Sequence, residues 1–248
     1  MLSNKVVLVT GGSKGMGEAH SRLLSARGAH VVIADVDTQG EEVADSIVQQ
    51  GGKAEFRHLD VVDEEQWEDV VATVTLAHGR IDGLVNNAGV LVRKPVEELT
   101  VKDWDFVFDI NVKGTFLGSR SVLPAMRKAG KGSIVNISSI SGLVANMPGM
   151  SAYCATKGAV RLFSKALAVD YAKYGIRVNS LHPGTIRTPM TAEYESDPAK
   201  LNMLLGTTIL GRLGEPVEIA EVLAFLLSDA ASFMTGSEVL VDGGFTAV

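Results

Sequence analysis

Short apolar segments rich in β-branched residues alternate along this chain with longer segments in which apolar residues recur at the period of a helix. The short segments predict seven strands, at residues 6–9, 30–34, 54–59, 83–85, 133–137, 177–181 and 238–241. The longer segments predict six helices, at residues 15–27, 40–50, 63–78, 100–129, 152–174 and 216–227. Several of the strands are almost continuously apolar, as expected for strands that are buried on both faces.

Strands and helices that alternate at this pitch predict βαβ units and therefore a parallel sheet. We expect one α/β domain over residues 1–248, with a doubly wound parallel sheet that is flanked by helices on both faces. No linker rich in Pro, Gly or Ser and no repeat of fixed period divides the chain.

The composition argues against several classes of partner. The formal net charge is −6 and the pI is about 5.4, so neither nucleic acid nor an anionic membrane surface is expected to bind. No apolar segment approaches the roughly 18 residues that span a bilayer, and the amino-terminal segment lacks the features of a signal peptide. Cys154 is the single cysteine and no Cys/His cluster has zinc-ligand spacing, so we expect a cytoplasmic protein without a metal.

Candidate chemistry begins at the turn between the first strand and the first helix, which contains Gly11, Gly15 and Gly17. Glycines let the backbone approach a pyrophosphate, and the start of a helix offers free N–H groups. Asp35 ends the second strand, where a carboxylate accepts from the ribose hydroxyls of NAD and repels the 2′-phosphate of NADP. Asp35 has the alternative role of a helix cap or turn residue. Lys14 would attract the 2′-phosphate of NADP, unless the lysine side chain is simply solvated. We expect NAD, with NADP less favoured.

A second candidate is the pair Tyr153 and Lys157, which are four residues apart. On a helix this spacing puts both side chains on one face, one turn apart. An ammonium beside a phenol favours the phenolate, so Tyr153 is expected to titrate below its ordinary value and to exchange a proton with an alcohol or ketone. The alternative is an ordinary solvated helix face.

Taken together, these motifs resemble the short-chain dehydrogenase/reductase family over essentially the whole chain. The matching residues are Thr10 to Gly17, Asn86 to Gly89, Asn111, Ser139, Tyr153 with Lys157, Pro183 and Gly184 with Thr188, and Asp242 to Gly244. Within the family the sequence is similar to bacterial dehydrogenases of cyclic alcohols such as cyclopentanol and cyclohexanol, and to 3α/20β-hydroxysteroid dehydrogenases. The resemblance implies a Rossmann-type fold and hydride transfer between NAD and a secondary alcohol or ketone.

The resemblance also implies a role for each catalytic residue. Tyr153 would be the acid/base, and Lys157 would hold the nicotinamide ribose and lower the pKa of Tyr153. Ser139 would donate a hydrogen bond to the substrate oxygen as charge develops there. Asn111 would order a water linked to Lys157, although its amide could equally satisfy backbone groups at a helix irregularity.

The position of the catalytic serine is open to alternatives. Ser139 lies fourteen residues before Tyr153, which is one more than is usual in the family. Ser138 and Ser141 are competing candidates, and a serine after a strand is often a turn or cap residue. We choose Ser139 because it belongs to the serine pair that directly follows the strand.

The remaining cofactor contacts are implied by position at the carboxyl ends of strands. Asp60 and Val61 would lie beside the edge of the adenine ring. The alternative role of Asp60 is to cap the next helix. The other cofactor residues implied are Ser13, Lys14 and Met16 in the first turn, Asn87, Ala88 and Gly89 after the fourth strand, and Pro183, Gly184, Ile186 and Thr188 after the sixth.

The regular alternation of strands and helices is interrupted at residues 188–213, and we interpret this segment as a lid over the substrate. Two apolar walls are expected to enclose the substrate. One is formed by the lid residues Met190, Met203, Leu204 and Leu205, and the opposite one by Val90, Leu143, Met147 and Met150. The alternative is that these side chains simply pack against the rest of the protein. No cluster of Arg or Lys is evident near the lid, which favours a neutral, apolar cyclic or steroid-like substrate.

Other functions stay open at this point. Within the same family, the alternatives are the reduction of a carrier-bound 3-oxoacyl group and a sugar dehydrogenase. A non-catalytic dinucleotide sensor is a different class, which predicts loss of Tyr153 or Lys157, and both are present. The family resemblance further implies a homotetramer.

Overall fold

A computed structural model describes residues 1–145, 147–195, 197–206 and 208–248 of the protein. Its seven strands form one parallel sheet in the order β3-β2-β1-β4-β5-β6-β7, which confirms the predicted α/β fold. The strands are β1 Val6–Thr10, β2 His30–Asp35, β3 Lys53–His58, β4 Gly83–Asn86, β5 Gly132–Ile137, β6 Ile176–Pro183 and β7 Glu238–Val241. The helices in the described residues are α1 Gly15–Ala26, α2 Gln39–Gln49, α3 Glu64–His78, α4 Val101–Phe108, α5 Gly114–Ala129, α6 Ser151–Tyr171, α7 Ala192–Glu195, α8 Pro198–Leu205 and α9 Pro216–Leu227.

Alternate residues of the central strand β1 belong to two separate cores, one on each face of the sheet. Val7 and Val9 pack in a cluster that includes residues of α1, α2 and α9, whereas Val6 and Leu8 pack with residues of α3, α5 and α6. Because side chains alternate between the faces of a strand, a strand that is covered on both sides has to be apolar throughout.

The predicted helix at residues 100–129 is confirmed as a helical segment from Val101 to Ala129 that contains one irregularity. It is divided into α4 and α5 by a π-helical turn, Asp109–Lys113, which contains Asn111. Hydrophobic periodicity alone does not locate this irregularity, because the π-helical turn involves only five residues of a long helical segment.

Two short helices, α7 and α8, lie in the segment that was predicted to be a lid. Ser196 and Thr207 of that segment fall outside the described residues. Among the helices of the described residues, none has the length and apolarity to cross a membrane.

Candidate active site

The predicted site residues converge at the carboxyl ends of the strands, where the glycine-rich turn, the β4–α4 connection and the start of the predicted lid meet. One cleft is lined by both the glycine turn and the β4 end: Gly11, Lys14, Gly15, Met16, Gly17, Asn87, Ala88, Gly89, Thr188, Pro189 and Met190. The strand order reverses between β1 and β4, and this is the place where open α/β sheets bind their ligands.

The glycine-rich turn has the close packing that a dinucleotide site requires. A Cβ atom on Gly17 would overlap the carbonyl oxygen of Gly11, and Gly11 itself has φ +61°. The side chain of Asn87 locks this turn to β4 by donating from Nδ2 to the carbonyl oxygens of Thr10 and Gly11, at 2.9 and 3.1 Å. The turn therefore presents backbone at the start of α1, which fits a pyrophosphate group.

Asp35 ends β2 with its carboxylate facing the same turn. Oδ2 accepts from the backbone N–H of Ser13 and Oδ1 accepts from that of Asp37, both at 3.0 Å. Asp35 thus has the turn-stabilising role that sequence reasoning left open, while it stands at the position expected for a ribose contact. Lys14 forms an ion pair with Asp37, so its charge is not simply solvated.

The helix-cap alternative for Asp60 is wrong. The cap of α3 is Asp63, whose side chain accepts from the backbone N–H of Gln66 at 3.0 Å. Asp60 instead accepts from the backbone N–H of Val62 at 3.1 Å. The neighbouring Val61 is buried, and its carbonyl accepts from the indole of Trp67 at 3.0 Å, which holds this turn in the core.

Tyr153 lies in the first turn of α6, and its environment differs from the expected one. Burial raises the pKa of Tyr153 to about 12, and a hydrogen bond with the Ser139 side chain opposes that rise only in part. The expectation that Tyr153 titrates below its ordinary value is therefore wrong, because burial raises its pKa. The cost of placing a phenolate in a desolvated site exceeds the local stabilisation.

Lys157 is buried on the same face of α6. Its Nζ donates to the carbonyl oxygen of Ile137 at 3.0 Å and lies 5.5 Å from the centroid of the Tyr153 ring. Burial lowers the pKa of Lys157 to about 8. Gly89 lies close to this side chain, since a Cβ atom there would lie 3.4 Å from Nζ.

Asn111 sits in the π-helical turn with its amide fully engaged. Its Oδ1 accepts from the backbone N–H of Val90 at 2.8 Å, and its Nδ2 donates to the carbonyl of Val90 and to the hydroxyl of Thr156, each at 3.0 Å. The amide thus satisfies backbone groups, as the alternative interpretation supposed, but they belong to Val90 and not to the π-helical turn itself. These bonds join the β4–α4 connection to α6.

Among the three candidate serines, Ser139 is the one whose side chain acts to lower the pKa of Tyr153. The hydroxyl of Ser138 is buried and donates to the carbonyl of Lys157 at 2.9 Å, so it supports α6. His182, which sequence reasoning missed, lies beneath this loop with Nδ1 3.0 Å from the carbonyl oxygen of Ser139. Its imidazole is a positioning group for Ser139, and only the register of β5 beside β6 could have revealed it.

A second cleft adjoins Ser139 and Tyr153 and is mainly apolar. Of the predicted apolar walls, it includes Met147, Met150, Met190 and Leu204. Its lining does not include the other four predicted residues, Val90, Leu143, Met203 and Leu205. Pro183, Gly184, Ile186 and Thr188 also line it, and of these four Thr188 lines the first cleft as well.

Arg93 and Tyr194 line the same cleft and were missed from the sequence. A guanidinium N–H of Arg93 donates to the hydroxyl of Tyr194 in α7 at 2.7 Å, and its Nε donates to the carbonyl of Pro148 at 3.2 Å. A single arginine in a run of mixed residues carries no periodic signal, and one arginine does not contradict the expectation that the lid region has no cluster of Arg or Lys.

Comparisons with known proteins agree with this geometry. A family model described as "Enoyl-(Acyl carrier protein) reductase" matches residues 11–246. Cyclopentanol dehydrogenase of Comamonas testosteroni is 52% identical, with 99% of this chain and 98% of the relative covered. The 3-alpha-(or 20-beta)-hydroxysteroid dehydrogenase of Mycobacterium tuberculosis is 43% identical, with 99% and 91% covered. A crystal structure of a gluconate 5-dehydrogenase from Burkholderia cenocepacia, in complex with NADP and tartrate, has a TM-score of 0.95 at 33% identity, with 100% and 97% covered.

These likenesses extend over nearly the whole chain, and they define a dehydrogenase that interconverts secondary alcohols and ketones with a nicotinamide dinucleotide. The chain belongs to the short-chain dehydrogenase/reductase family. Its substrate is accordingly a small molecule.

Proposed function

We propose that the protein is an NAD-dependent dehydrogenase of apolar cyclic secondary alcohols, with Tyr153 as its acid/base. The observation that carries this proposal is the mainly apolar cleft that is lined by both Ser139 and Tyr153. The identity of 52% to a cyclopentanol dehydrogenase supports the same substrate class. The glycine-rich turn and Lys157 would hold a nicotinamide dinucleotide, which would supply hydride transfer to and from the carbon that bears the substrate oxygen.

The proposed chemistry of the chain itself is a proton transfer beside that hydride transfer. Tyr153 takes the hydroxyl proton of the alcohol during oxidation and gives a proton to the ketone oxygen during reduction. Ser139 donates to the same oxygen, which carries more negative charge in the transition state than in the alcohol or ketone. Lys157 contributes a positive charge to the site and holds the ribose, and Asn111 keeps the β4–α4 connection against α6.

The preference for NAD over NADP is proposed from the charges around the ribose position. Two carboxylates, Asp35 and Asp37, stand at the end of β2, and the ammonium of Lys14 is already paired with Asp37. A 2′-phosphate would meet net negative charge there, whereas ribose hydroxyls would find an acceptor.

We further propose that residues 188–213 close over the substrate. The hydrogen bond from Arg93 to Tyr194 joins this lid to the β4–α4 connection.

A homotetramer is proposed because several large apolar side chains are exposed on α5, α6 and the carboxyl-terminal segment. They include Phe116, Leu162, Val169 and Phe233. The free thiol of Cys154 is compatible with the reducing cytoplasm that we propose as its location.

The proposal is tested by a substrate panel in which the absorbance of reduced nicotinamide is followed with NAD and with NADP. The panel contains cyclopentanol, cyclohexanol, a 3α-hydroxysteroid, gluconate and a 3-oxoacyl thioester. We expect the highest kcat/KM for a cyclic alcohol with NAD. A preference for gluconate or for the thioester would overturn the substrate class, and no turnover of any compound would favour a sensor.

A further inference from the structure

Two histidines and one glutamate meet at the end of the sheet opposite to the dinucleotide site. His30 is the first residue of β2, Glu55 lies in β3, and His78 is the last residue of α3. His30 pairs with Lys53 in the sheet, so Glu55, two residues further along β3, projects from the same face. The carboxyl end of α3 brings His78 to this face.

The distances suit a single bound ion. Oε1 of Glu55 lies 2.7 Å from Nε2 of His78, in a hydrogen bond that a bound ion would replace, and 3.4 Å from Nε2 of His30. One ligand atom from each of the three residues falls within 4.8 Å of the other two. Two ligands of a tetrahedral zinc ion, each about 2.1 Å from the metal, are about 3.4 Å apart, so small shifts of the side chains would complete the geometry.

One ligand atom, Nε2 of His30, has the Glu55 carboxylate near it at 3.4 Å but makes no hydrogen bond with it. Nε2 of His30 is buried and has no hydrogen-bond partner within the part of the chain that the structure describes. A buried polar atom without a partner costs free energy, and a metal bond would remove that cost. The three side chains are nevertheless 25%, 22% and 21% exposed for His30, Glu55 and His78, so an ion and a water ligand can enter.

Arg57 orients the carboxylate of Glu55, and its positive charge affects which metal ions can bind beside it. It binds the other oxygen of Glu55 at 2.6 Å, which leaves Oε1 to face the imidazoles. The positive charges of Arg57 and Lys53 disfavour a cation that is held by charge alone, such as Ca²⁺ or Mg²⁺. Two imidazoles favour a transition metal instead.

We propose that His30, Glu55 and His78 form a binding site for a divalent transition-metal ion, with Zn²⁺ as the expected ligand. The site joins β2, β3 and α3 at one edge of the sheet. It lies about 16 Å along β2 from Asp35, the length of that strand, so the ion would stabilise the fold and take no part in hydride transfer.

Zinc titration of untagged, chelator-treated protein tests this site. We expect one Zn²⁺ per chain by calorimetry, and a rise in Tm of roughly 5 °C at a hundredfold excess of zinc over Kd. His30→Gln and His78→Gln should each weaken zinc binding by at least about tenfold. The matched control is His58→Gln, which changes an exposed histidine of the same strand β3 and should bind as the parent does.

The Tm of each variant without zinc shows whether it is folded. If His78→Gln does not fold, His30→Gln and Glu55→Gln decide the question. Absence of zinc binding by the parent would overturn the proposal. So would equal affinity in the parent and in a folded His30→Gln variant, since the ion would then bind elsewhere.

Discussion

The ammonium of Lys157 lies over the ring of Tyr153, 5.5 Å from its centroid, and is held there by the carbonyl oxygen of Ile137. Burial acts in opposite directions on the two groups, because it disfavours the charged form of each. It raises the pKa of Tyr153 to about 12 and lowers the pKa of Lys157 to about 8. Without a nucleotide, the phenol is therefore protonated at neutral pH and is ready to act as an acid.

Replacement of Tyr153 by Phe removes the proposed acid/base while the ring and its packing remain. We expect kcat to fall by at least about 100-fold, with the affinity for NADH nearly unchanged. Steady-state kinetics and a fluorescence titration with NADH measure the two effects. Tyr171→Phe, near the far end of α6, is the control that should keep full activity. Retention of a tenth of the activity or more by Tyr153→Phe would remove the residue from its role.

The direction of the pKa shift predicts how the two reaction directions depend on pH. Alcohol oxidation needs the deprotonated phenol, so we expect its kcat/KM to rise with pH through the neutral and mildly alkaline range. Ketone reduction needs the protonated phenol and should not rise over the same range. In the free protein, ultraviolet titration should show no ionisation of Tyr153 near neutral pH. An ionisation near pH 7 that disappears in Tyr153→Phe would contradict the burial argument.

Asp35→Asn tests the cofactor preference, because it removes charge and keeps a side chain of the same shape. The repulsion of a 2′-phosphate is then relieved, and like-charge contacts cost several kcal/mol. We expect the ratio of kcat/KM with NAD to kcat/KM with NADP to fall by roughly tenfold or more. Asp45→Asn, an exposed change on α2, is the matched control. An unchanged ratio would show that the Asp35 carboxylate only stabilises the turn.

Tyr194→Phe tests the lid, because it removes the hydroxyl that binds Arg93 and leaves the aromatic ring in the cleft wall. A single hydrogen bond to a charged group contributes about 1.5–3 kcal/mol, so KM for the alcohol should rise by roughly tenfold. The affinity for NADH should stay the same, which separates this effect from a loss of folding. Tyr174→Phe serves as the control. If KM is the same in both variants, the contact does not hold a lid.

The fold and most of the candidate site follow from the sequence because their signals are local. Apolar runs alternate with helical periods, which determines the βαβ units and hence the parallel sheet. The glycine-rich turn and Asp35 come directly after strands, so the topology alone brings them to the same edge. Tyr153 and Lys157 are one helical turn apart, which places them on one face of α6 without knowledge of the rest of the fold.

Only the tertiary structure decided which groups are buried and which distant residues meet. The pKa of Tyr153 depends on desolvation by segments far away in sequence, so the four-residue spacing predicted the wrong direction. Arg93 and Tyr194 are joined across the cleft, and His30, Glu55 and His78 come from three different elements. Periodicity describes the faces of single elements, whereas contacts between elements depend on packing, which no local pattern records.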